Sequence, residues 1–284
     1  MAWAVQAWAA DTGTNFRHDI SGMTKHRIKW GYCVSFSITV FVAAFFLFAS
    51  AASAGLLMDA GLKGVYEDNI VGSAADVGKK GDFYTVLAAS LGGNRRIGEG
   101  TFLFLRATAE GYLYRRYTDL NAAIAGFNGG VYKEFNHVLS AAGSLNIKRE
   151  NFKDSQRSSN AYGGILNLRQ QAQPDLWIKE GYEFTKNKAD SSTFSYEAHL
   201  LWVGIGYSIM PKTTATVGYS YLRRTYEEPA GYRNIFHSLS LGLTKEIAEK
   251  ISVYGNYDRQ YISSNHHAAT HINNVFTLGL SYSY

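Results

Sequence analysis

Strict two-residue alternation, repeated along the chain, constrains this sequence more than any other feature. The last stretch, Asn273 to Tyr284, reads NNVFTLGLSYSY. It places Phe276, Leu278, Leu280, Tyr282 and Tyr284 on one face and Thr277, Gly279, Ser281 and Ser283 on the other. Period two specifies a β-strand with one apolar face. Similar segments recur roughly every 19 residues, where a transmembrane strand needs about 9–11. The expected strands are Leu56–Asn69, Asp82–Gly92, Thr101–Tyr117, Ala123–Tyr132, Val138–Glu150, Ala161–Gln170, Leu176–Lys186, Tyr196–Ile209, Thr213–Tyr226, Ile235–Thr244, Ile251–Tyr261 and the closing stretch, twelve in all. Two are irregular. Glu180 interrupts the apolar face of the seventh, which implies a bulge or the opposite parity. The eighth is apolar on both faces through Leu200-Leu201-Trp202-Val203, so its register cannot be assigned.

Composition agrees with many strands: 20 Tyr and 28 Gly accompany only 3 Pro in 284 residues. The formal charge is +5, and beyond residue 54 it is 24 basic against 21 acidic groups, or +3, with no Lys/Arg cluster. That balance excludes a nucleic-acid partner. Lys25, Arg27 and Lys29 precede an apolar run from Tyr32 to Ala49, followed by Ala52-Ser53-Ala54. A basic region, an apolar core and an A-x-A site describe a secretory signal peptide cleaved after Ala54. The alternative is a retained anchor helix. Met23 is the better start for such a peptide. The division is therefore 1–54 extension and signal, 55–284 barrel. The single cysteine, Cys33, falls in the removed part, so no disulfide or cysteine metal site is expected.

Export, charge on the non-apolar face of many strands, and tyrosines near strand ends (Tyr66, Tyr114, Tyr117, Tyr226, Tyr261, Tyr282) favour a membrane barrel over a soluble sandwich. An open sheet in lipid leaves edge groups unsatisfied, so the strands must close. The expected fold is all-β: a transmembrane, antiparallel, up-and-down barrel of about twelve strands in the cell outer membrane. An even number puts both termini on the periplasmic side. The connections then alternate between long outer loops and short inner turns, with Gly93–Gly100 long for an inner turn and Thr118–Ala122 short for an outer loop.

Two stretches carry a resemblance. The closing strand, ending on an aromatic residue, resembles the last strand of bacterial outer-membrane barrels. This implies recognition by the barrel-assembly machinery through Phe276, Leu278, Leu280, Tyr282 and Tyr284. Tyr66-Glu67-Asp68-Asn69-Ile70 is similar to a Tyr-Asp-Asp-Asn-hydrophobic stretch found early in a loosely defined group of β-barrel porins, with Glu67 in place of the usual Asp. That resemblance implies a porin-like or export role. The bland reading of Glu67-Asp68-Asn69 is a polar strand end with turn-forming residues.

The inferred lumen is lined by Lys63, Arg106, Lys148, Arg169, Lys179 and Arg224 and by Asp59, Glu67, Glu110, Glu150, Glu183, Glu197 and Asp258. Mixed signs fit a narrow channel whose transverse field orients polar solutes. They fit equally a closed lumen cross-linked by ion pairs. Outer-membrane lipases pair His and Ser two apart on one face. Here His199 and His237 are each followed two later by Leu. No Asp lies two before any His, as in the outer-membrane proteases. His266, His267 and His271 share one loop, where a solvated loop outweighs a metal site. The expectation is a non-enzymatic, cofactor-free barrel, monomeric or weakly associated, in contact with outer-membrane lipid and passing small polar or charged solutes. The alternatives are a non-conducting barrel in surface assembly or polysaccharide export, and an outer-membrane lipid hydrolase.

Overall fold

The computed structural model describes residues 55–70, 78–265 and 270–284. The expected signal peptide, its cleavage site, Met23, His266 and His267 lie outside them. Twelve antiparallel strands close into one barrel: β1 (Gly55–Glu67), β2 (Asp82–Gly98), β3 (Thr101–Tyr114), β4 (Ala122–Glu134), β5 (Leu139–Phe152), β6 (Ser159–Gln173), β7 (Leu176–Ala189), β8 (Tyr196–Met210), β9 (Thr213–Tyr226), β10 (Arg233–Ala248), β11 (Ile251–Ser264) and β12 (His271–Ser283). Each strand pairs with its neighbours in sequence, and β1 pairs with β12.

The barrel is apolar on its outside. Leu145 on β5 is 75% exposed and Leu278 on β12 is 66% exposed, whereas the inward Phe236 on β10 is 1% exposed. A water-soluble fold has the reverse polarity, and only lipid makes this arrangement favourable.

The end carrying both termini, called the near end, has tight turns. Four of its five turns hold two residues, Glu99-Gly100, Pro174-Asp175, Pro211-Lys212 and Glu249-Lys250, each beside a register shift in the preceding strand. Gly100, Lys212 and Lys250 take positive φ there, which closes a short hairpin against a bulge. The far-end connections are longer, and three of them contain a single 3-10 turn, at Thr118–Leu120, Ser155–Arg157 and Ser192–Phe194.

Several expectations are corrected. Gly93–Gly100 is not a long turn, because β2 continues through Gly98 and pairs with β3 down to Thr101. Glu180 causes neither a bulge nor a change of parity: it faces outward between Leu168 and Val203 in a regular ladder. Strand β8 directs Leu200 and Trp202 inward and Leu201 and Val203 outward. Glu197 shares the outward parity and pairs with Lys186 on the outer wall, so it does not line the lumen. Tyr114 and Tyr226 also leave the expected outer girdle. Tyr114 stacks on Tyr84 at 4.4 Å inside the barrel, and Tyr226 packs on Tyr196 and Tyr232.

The far end of β1 is fastened to β12 by the stretch Tyr66–Ile70. Glu67 accepts a hydrogen bond from Asn273 Nδ2 at 2.8 Å. Asp68 accepts from the Asn274 backbone N–H and from its side chain, both at 2.7 Å. Asn69 donates its backbone N–H to Asn273 Oδ1 and its side chain to the Ile272 carbonyl. Tyr66 packs against Phe276 on the outer wall. The polar strand end is therefore a clasp across the closing seam, with Asn69 1% and Ile70 2% exposed.

Candidate functional site

Inward parity places Asp59, Lys63 and Glu67 on β1, Arg106 and Glu110 on β3, Lys148 and Glu150 on β5, Arg169 on β6, Lys179 and Glu183 on β7, Arg224 on β9 and Asp258 on β11 around one interior. They divide by height along the barrel.

In the near half the charged inner side chains are partly exposed. Asp59 is the hub at the seam. It pairs with Arg106 Nη1 at 2.9 Å and accepts from Ser90 at 3.0 Å and Ser283 at 2.6 Å, tying β1 to β2, β3 and β12. Across the barrel, the Trp177 ring has two cations near it, with Lys179 Nζ 5.0 Å and the Arg169 guanidinium 5.5 Å from its centroid. Both tryptophans beyond residue 54 lie flat on the inner wall over glycines: Trp177 covers Gly206 and Trp202 covers Gly181. A Cβ at Gly181 would come within 2.6 Å of the Trp202 ring, so a glycine is required under each. Asp258 is held by Ser240 and by Asn256 Nδ2.

In the far half the inner wall is buried. One apolar cluster joins Val65, Tyr84, Val86, Tyr112 and Ala122, and a second joins Ala198, Leu200, Leu222, Phe236 and Ile262. Several polar groups at the same height are buried and hydrogen-bonded, although the Oδ1 atoms of Asn187 and Asn234 are buried without a partner among the described residues. Glu150 pairs with Lys148 at 2.9 Å and accepts from Ser159 at 3.0 Å and Asn187 at 3.2 Å. The Arg224 guanidinium sits 4.3 Å over the Tyr196 ring and 5.6 Å from Phe236. Outside the strands, burial against Phe194 holds the Arg157 guanidinium below its ordinary pKa, while Asp154 opposes that shift. The interior thus passes from a charged, partly exposed near half to a far half whose inner wall carries buried apolar clusters, together called the collar.

The two outward histidines are part of the wall. His199 Nδ1 is hydrogen-bonded to the Tyr182 hydroxyl and His237 Nδ1 to that of Tyr219, each at 2.8 Å. Among the described residues no group of three or more His, Cys, Asp or Glu is placed to hold a metal ion. The sequence reading missed the collar, because its apolar members look like core residues of any strand. It also missed the clasp, whose partners are more than 200 residues apart.

Closed antiparallel strands, an apolar exterior and a polar, charged interior define the class: an integral β-barrel of the outer-membrane type. No protein-family model and no curated protein sequence matches the chain. Solved structures do. An outer-membrane channel from Pseudomonas putida F1 superimposes with a TM-score of 0.63 at 8% identity, covering 82% of this chain and 96% of that one. The NanC porin gives a TM-score of 0.51 at 13% identity, over 78% of this chain and 98% of that one. The KdgM porin, solved in complex with disordered oligogalacturonate, gives 0.49 at 14% identity, over 80% and 99%. At these identities the likeness is one of fold.

Proposed function

We propose that this barrel is a narrow, porin-like channel for passive passage of small polar or charged solutes. The observation that carries the reading is the charged, partly exposed lumen, where Asp59, Arg106, Arg169 and Lys179 in the near half share one interior with Lys63, Glu110, Glu183 and Asp258 at mid-height. Opposed charges in a confined, low-dielectric space orient a polar solute and replace part of its hydration. The buried inner side chains of Phe236 and Leu222 are read as its constriction. The barrel is read as non-catalytic, because His199 and His237 are each followed two residues later on the same outer face by Leu201 and Leu239, where the outer-membrane lipases carry serine. The outward face of β12, with Phe276, Leu278, Leu280, Tyr282 and Tyr284, is read as the surface met by the assembly machinery.

The buried collar also favours a second reading, a non-conducting barrel that serves surface assembly or export. Single-channel recording in planar bilayers separates the two. The channel reading expects small discrete steps from the folded wild-type protein and larger steps from a Phe236→Ala, Leu222→Ala double variant. Heat-modifiable, folded protein that is silent in both forms overturns it.

A further inference from the structure

The outer wall is not evenly convex. A hollow of about 840 Å³ opens on the lipid side, across β4 to β9. Register explains its shape. One edge follows a row of cross-strand partners from Lys133 through Ala141, Leu168, Glu180 and Val203 to Tyr219. The other edge is the neighbouring outward row, from Val131 to Tyr221, with Gly143 on β5. Ala141 and Gly143 lower the wall where larger side chains stand on both sides.

Two charged residues lie in this otherwise apolar groove. Glu180 is exposed on the outer wall, and no described side chain pairs with it. Three strands away in the same row, Lys133 sits near the near-end rim, where its Nζ donates to the Glu99 carbonyl at 2.7 Å and has two further protons to give. A carboxylate facing hydrocarbon is unfavourable unless paired.

We infer that this groove binds a phospholipid of the near-end leaflet that carries a primary amine in its headgroup. The ammonium pairs with Glu180 and an acyl chain lies along the hollow. The dimensions favour a lipid over a protein segment. The two edges are two residues apart, a gap of about 7 Å, too narrow for a helix of about 10 Å diameter. Five strand spacings give a groove about 24 Å long. At a strand tilt of about 40° it climbs roughly 15 Å, half of a hydrocarbon core about 30 Å thick and so one leaflet. Charge selects the headgroup: a carboxylate repels an anionic glycerol headgroup and donates nothing, whereas a primary ammonium offers it charge-assisted hydrogen bonds.

The test is native mass spectrometry of the full chain, released from vesicles of equal phosphatidylethanolamine, phosphatidylglycerol and phosphatidylcholine. Wild-type protein is expected to retain phosphatidylethanolamine about tenfold over phosphatidylglycerol, the value of one charge-assisted contact. Glu180→Gln is expected to abolish that preference, and Ala141→Trp, which fills the hollow, to reduce retention of all three. Heat-modifiable migration shows that each variant is folded. Equal retention by wild type, or an unchanged preference in Glu180→Gln, overturns the inference. So does stoichiometric recovery of a basic membrane protein that Glu180→Gln releases.

Discussion

The Asp59–Arg106 pair is the most informative place to perturb the lumen, because it bears on both stability and charge. At 2.9 Å and an effective dielectric of about 20, the bare attraction is about 6 kcal/mol. Desolvation and side-chain ordering offset most of it. With the two side chains 31% and 17% exposed, solvent screening reduces it further, leaving an expected coupling of about 1–2 kcal/mol. The measurement is a double-mutant cycle, Asp59→Asn, Arg106→Gln and both together, on urea unfolding of the folded protein in lipid vesicles. The single variants should cost more than the coupling. Asp59→Asn also weakens acceptance from Ser90 and Ser283, and Arg106→Gln leaves a carboxylate without its cation. In bilayers the two single variants should shift the reversal potential in opposite directions. Asp59→Asn leaves Arg106 uncompensated and moves selectivity toward anions, and Arg106→Gln moves it toward cations. A coupling below about 0.3 kcal/mol refutes the pairing, since that is the scatter expected of independent sites.

Two further outcomes are expected. Asp82, 2% exposed, accepts backbone N–H groups from Phe83 at 2.8 Å, Arg116 at 3.1 Å and Tyr117 at 3.0 Å. Asp82→Ala leaves three donors short of a partner and should cost about 3 kcal/mol, with amide exchange at 115–117 rising before that of the strands. Gly206→Val should lift Trp177 off the wall, red-shift its emission and destabilise the barrel by about 1–3 kcal/mol. Unchanged emission would show that the ring does not lie over Gly206.

Strand number and parity were legible because lipid on one side and a polar interior on the other impose the same alternation on nearly every strand. The alternation fades where the interior is itself apolar. Inward Leu200 and Trp202 make β8 look alike on both faces, so its parity comes only from its neighbours' register. Charge misled for the complementary reason. Glu197 and Glu180 both face outward. The first is neutralised by Lys186 at 2.5 Å, and the second stands in a hollow between two outward rows that come together only through the pairing of six strands. Tyr114 and Tyr226 show the same limit, since an aromatic near a strand end fills a collar as readily as it anchors an interface. The turn-like run from Gly93 to Gly98 stays in strand because its partner, β3, extends as far.

The clasp at the far end of the seam has a consequence for how the chain is made. Glu67, Asp68 and Asn69 emerge among the first residues of the barrel, and their partners Ile272, Asn273 and Asn274 emerge among the last, more than 200 positions later. Until then the first strand has a bare edge and unanswered polar groups, and every shorter chain is an open sheet that lipid cannot accommodate. No chain that stops short of β12 can close the seam. Closure completes the membrane wall, the Asp59 hub and the clasp together.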